Sequence, residues 1–104
     1  MSEREIIVVT ATDRIPLTPD EAAQLLEHIR RDGGSNGGPA AEALSAAIQE
    51  DGSVELGWTD ESKAIALSAI TAWLDTEGAW DVPGSVMDIR YELMRDLKIA
   101  PYET

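Results

Sequence analysis

Imidazole is the side chain best suited to move protons near neutrality, and this chain carries a single histidine, His28. It falls on the polar side of an amphipathic stretch, beside Gln24, Glu27, Arg30 and Arg31, where a lone exposed histidine is expected to be a bystander. A zinc site there would need carboxylates for its remaining ligands, because the chain has no cysteine. The same lack removes a thiolate nucleophile and a disulfide framework. Seryl catalysis needs a base held against the hydroxyl; no Ser-x-x-Lys motif occurs, and joining His28 to Ser35 and an aspartate would ignore geometry. The stretch Gly33 to Pro39, GGSNGGP, suggests a phosphate loop, but it lacks the following lysine and does not come after a strand. It reads as a flexible linker.

Carboxylates are plentiful, so divalent cations come next. Neither Asp75 to Asp81 nor Asp51 to Glu55 has the alternating ligand positions of an EF-hand loop. A pair of carboxylates could do acid–base work as in a glycosidase, yet such a pair needs a cleft that a small four-helix chain hardly offers. No catalytic residue, metal site or cofactor is therefore expected, and the chain reads as non-enzymatic.

The charge is the extreme feature: twenty Asp and Glu against eight Lys and Arg, a net −12 over 104 residues. Such a surface repels phosphate backbones and anionic lipid, so direct nucleic-acid and membrane binding are disfavoured. It also draws a basic partner from a distance; the plainer account is solubility or salt adaptation. No apolar run approaches the ~20 residues that span a bilayer, and the charged start Met1 to Glu5 has no signal-peptide pattern. The expected compartment is the cytoplasm. The acidic, Ala-rich, Lys-poor style suggests a bacterial or phage source.

These features must be carried by one domain, residues 1–104, since the length leaves no room for two cores. Glu5 to Ala11, EIIVVTA, reads as a strand, Thr12-Asp13-Arg14 as a turn and Ile15 to Leu17 as a short strand. Pro16 cannot donate to a ladder and belongs on an edge. Thr18-Pro19-Asp20-Glu21 is a capping box opening a helix to about Asp32. Pro39 opens a second helix that Asp51-Gly52 ends. Ser53 to Trp58 forms a strand, with Val54, Leu56 and Trp58 on one face. Thr59 caps a third helix from Asp60 to Glu77 that stops at Gly78. It is apolar over more than half its circumference, so it is central in the fold or buried in a partner. A last helix spans about Ser85 to Lys98, and Ile99 to Thr104 should fray.

The expected class is α+β, with four helices packed on one side of a small two- or three-stranded sheet. A weak β-α-α repeat is visible: Leu25, Leu26 and Ile29 follow Thr18 at the distances by which Ala66, Leu67 and Ile70 follow Thr59.

The best functional candidates are surfaces. Beside the core stripe Val86, Ile89, Leu93 and Leu97 of the last helix run Met87, Tyr91 and Met94, with Arg90 on the boundary. Met and Tyr are adaptable and enriched at interfaces, although they also serve to widen a core stripe. Trp80 lies in the loop between Gly78 and Pro83; in a chain without Phe it is expected to plug the core, and otherwise to anchor a partner. The sequence thus points to a small acidic protein–protein interaction module, an adaptor or an antitoxin-like or immunity-like regulator, expected as a homodimer. The rivals are an acidic nucleic-acid-mimicking inhibitor of a basic protein and a small carboxylate-dependent enzyme. Carboxylates scattered along every element count against the mimic.

Overall fold

A computed structural model describes residues 4–32, 38–78 and 80–99. The elements follow in the order β1 (Ile6–Val9), β2 (Arg14–Leu17), α1 (Pro19–Asp32), α2 (Gly38–Gln49), β3 (Val54–Gly57), α3 (Asp60–Glu77) and α4 (Gly84–Asp96). The fold is α+β, four helices packed with a three-stranded mixed sheet. The expected flexible stretch at 33–39 lies outside the described residues up to position 37, as does the expected frayed tail beyond Ile99.

The β-branched run of β1 takes the centre of the sheet, in the order β2-β1-β3. β2 pairs antiparallel to it, with Val8 opposite Ile15, and β3 pairs parallel, with Val8 opposite Leu56. The period of two then sorts the side chains. Ile6, Val8, Ile15, Leu17 and Leu56 are buried beneath the helices, while Arg14, Pro16, Glu55 and Gly57 are exposed on the other face. On that outer face an Arg14–Glu55 ion pair reaches from β2 to β3 across the half-buried Ile7 and Val9 of β1.

The starts of α1 and α3 are chemically marked. At α1 the Glu21 amide donates to Thr18 Oγ1 at 3.1 Å and the Thr18 amide to Glu21 Oε1 at 3.0 Å, the reciprocal pair of a capping box. At α3 Thr59 Oγ1 accepts from the Ser62 amide at 3.2 Å. α3 stops at Gly78, whose φ of 86° only glycine adopts freely and whose N–H returns to Leu74 O at 2.9 Å. α2 has no basic residue in its last turn. Arg4 supplies the missing donor from outside, through Nη2 to Ala47 O at 3.1 Å. The two threonine-capped helices follow β2 and β3, which run in opposite directions on either side of β1.

α3 is the hub. Ala66, Leu67, Ala69, Ile70 and Trp73 are buried, Ile65 and Leu74 pack half-buried against the core, and the other three helices all touch it. Of the two fates its apolar girth allowed, the central position is the one it takes.

Candidate interaction surface

The five residues singled out from the sequence have different fates. Along α4 exposure falls in steps: Tyr91 is 60 % exposed, Met87 is half-buried against the core, and Met94 is buried. The Met87–Tyr91–Met94 stripe is therefore not one exposed face. Its methionines widen the core stripe of Val86, Ile89 and Leu93, as flexible side chains do at irregular margins. Arg90 is half-buried, with its Nε shielded from water and without a partner atom among the described residues.

Trp80 reverses its expectation. The sequence favoured a plug in the core, but the indole is 99 % exposed on the turn between α3 and α4. The core bulk expected of the tryptophans comes from Trp73 and Trp58, the latter holding Ala40 O through its Nε1 at 3.3 Å. With Trp73 buried at the end of α3, the helix pair is already closed when the chain reaches Gly78, and Trp80 falls outside it. Asp75, Glu77 and Asp81, all exposed, stand around it in sequence. Glu77 also lies 3.9 Å from Arg31, and a bare indole with acidic neighbours along the chain can bind an apolar pocket edged with basic groups.

His28 also departs from the expectation of an exposed bystander. It is buried, and its ring stacks on Trp73 with centroids 4.0 Å apart and planes 7° from parallel. Arg31 Nη2 lies 3.1 Å from its Nδ1, while carboxylate oxygens of Asp32 and Glu77 stand 3.7 and 3.9 Å from Nδ1 and Nε2. The helical stripe misled because α1 buries a wider arc than one neighbour requires. α1 packs against α2, α3 and the sheet, and Trp73 reaches the flank where His28 sits. The ring is a packing residue that ties the C-terminal turns of α1 and α3.

A second polar junction lies where the β1–β2 turn meets α4. The Asp96 side chain, 2 % exposed, accepts from the Ala11 amide at 3.1 Å and pairs with Lys63 Nζ at 2.9 Å. Thr12 Oγ1 donates to Glu92 Oε1 at 2.8 Å. Beside it a hollow of about 440 Å³ is lined by Asp13, Asp88, Tyr91, Glu92 and Arg95. Two of its carboxylates are already engaged: Glu92 by Thr12 and, at 3.8 Å, by Arg95, and Asp13 by the Arg14 amide at 2.8 Å. No group of three histidines or carboxylates among the described residues is placed to hold a metal ion. Ser35 belongs to a Gly33-Gly34-Ser35-Asn36-Gly37 run that spells Gly-x-Ser-x-Gly, but a nucleophile elbow leaves a strand and this run leaves helix α1. No helix of the described residues is long and apolar enough to cross a membrane.

No family model, no curated protein and no solved structure matches the chain.

Proposed function

We propose that this chain is a small acidic protein-interaction module whose principal contact is the α3–α4 turn. One observation carries the reading: Trp80 holds its whole indole in water, although the fold has room to bury two other tryptophans. Exposing that much apolar surface costs solubility and contributes nothing to the core, so it is supported by a partner that covers it. The acidic rim selects a basic partner and speeds its approach, which gives the net −12 a use beyond solubility. A regulator of adaptor, antitoxin-like or immunity-like kind fits this chemistry, as a non-enzymatic protein acting in the cytoplasm.

Self-association stays part of the proposal, but through Trp80 and Tyr91. The apolar stripe of α3 and Met94 are buried within the single chain, and Met87 is half-buried there.

Quantitative capture from the native cell with wild type and Trp80→Ala tests the reading. A specific basic protein retained by the wild type, released by salt and lost with Trp80→Ala is the expected result. Identical captured sets for the two chains would refute the role of the turn. Light scattering on the same pair reads self-association directly.

A further inference from the structure

The two edges of the sheet are chemically unequal. Thr10 N donates to Asp13 O at 2.9 Å, which continues the β1–β2 register by one hydrogen-bonded pair. Alternation then makes Val8–Ile15 and Ile6–Leu17 the bonded pairs, and turns the backbone groups of Arg14 and Pro16 outward. That outer edge has no N–H to offer. Pro16 has none, and the Arg14 amide is taken by its neighbour's Asp13 Oδ1 at 2.8 Å.

β3 is the opposite. Val54 N donates to Glu5 O at 3.0 Å, so Val54 and Leu56 address β1 while Glu55 and Gly57 address the outside. No described group takes the outward N–H and C=O of Glu55 and Gly57. Both residues are exposed, and a Cβ added at Gly57 would meet nothing within 4 Å. A glycine in a strand commonly marks a place where another backbone approaches.

We propose that the β3 edge receives an extended basic segment of a partner protein, which adds as a fourth strand through the outward backbone groups of Glu55 and Gly57. Charge selects this occupant. Glu50 and Asp51 precede the strand and Asp60 and Glu61 follow it, all exposed, so a segment along β3 passes carboxylates at both ends. Two cations offset part of this charge: Lys63 lies 4.0 Å from Asp60, though closer, at 2.9 Å, to Asp96, and Arg4 donates to the Ala47 and Gly52 carbonyls at the other end. The balance along β3 stays negative. A second copy is the wrong occupant for the same reason. Pairing Glu55 with the other chain's Gly57 would carry Asp51 of one copy towards Glu61 of the other. The inference goes beyond the Trp80 reading and stands on a different surface, so either can fail alone.

The test is amide hydrogen exchange by NMR on the wild type, alone and with a synthetic eight-residue peptide alternating lysine and valine. A matching glutamate–valine peptide is the control. The expected result is at least a tenfold slowing at the Glu55 and Gly57 amides with the lysine peptide only, weakened by salt and lost at the Glu55 amide in Gly57→Pro, which has no amide of its own at 57. That variant places on β3 the feature that closes β2, and the wild-type comparison stands whether or not it folds. Three outcomes overturn the proposal. The two amides keep exchanging fast because the short strand is a guarded edge. Shifts spread over the acidic surface without protection at these amides. Or both amides are protected in the free chain and lose protection on dilution, which makes the occupant a second copy.

Discussion

Trp73 and Trp80 stand on either side of the same glycine cap, and the fold treats them in opposite ways. Trp73 closes the helical core at 1 % exposure and stacks on His28, whereas Trp80, past Gly78, is 99 % exposed. The helix period decides the first fate. Trp73 falls on the stripe of Ala66, Ala69 and Ile70, and α1 supplies a flat ring at contact distance. The cap decides the second, because it ends the helix and turns the chain away before Trp80. One indole thus serves stability, and the other is the one proposed above for recognition. That division is open to direct attack.

Trp73→Ala should produce the largest effect, a loss of about 3–5 kcal/mol in chemical denaturation, from the cavity and the lost stack together. A loss under about 1 kcal/mol would mean that the tryptophan is not core and would dissolve the contrast. Asp96→Ala comes next, at about 2–4 kcal/mol, since it strips the Ala11 amide of its acceptor and leaves Lys63, 14 % exposed at its side chain, with only the Asp60 carboxylate 4.0 Å away. Lysine can swing its ammonium towards water, which holds the cost below that of a fully enclosed pair. His28→Ala should cost about 2 kcal/mol, and a double-mutant cycle with Trp73 should return a coupling of about 0.5–1.5 kcal/mol. Independent losses at the two sites would show that the stack carries no energy of its own.

The sequence made much of this legible where one local rule decides one outcome. The Thr18–Glu21 box, the Thr59 cap, the Gly78 stop and the edge position of Pro16 are each set by a few neighbouring residues, and each is found in the structure. The start of α1 and both bounds of α3 follow from those same signals. What escaped was set between elements. His28 looked exposed because a helical stripe shows only one neighbour, and its cover comes from α3. Met94 could be read as interface or as a wider core stripe, because the width of the buried arc on α4 depends on what packs beside it. Asp96 gave no signal at all, since its partners Ala11 and Lys63 belong to distant parts of the chain. The open edge at β3 was half visible, in the Gly57 that interrupts an otherwise ordinary strand, but strand order was needed to make it an edge.

The smallest expected stability effect belongs to Trp80→Ala, and it is the sharpest probe of the contrast. An indole 99 % exposed makes almost no contacts within the chain, so its removal should shift the unfolding free energy by no more than about 0.5 kcal/mol. The variant should also lose the red, easily quenched part of the tryptophan emission, because Trp58 and Trp73 are shielded and Trp80 alone faces water. Both readouts are needed. A neutral stability change with unaltered quenching would place the exposed indole elsewhere, and a large destabilisation would make Trp80 a core residue after all. If stability is kept and the exposed emission is lost, the variant becomes a folded control in which the exposed indole alone is missing. Against it the salt dependence of partner association can be read. The wild-type on-rate should fall as ionic strength rises, because the acidic rim steers the encounter. The variant should keep that on-rate and dissociate faster, because the rim brings the partner in and the indole holds it. Equal dissociation rates for the two chains would leave Trp80 outside the interface.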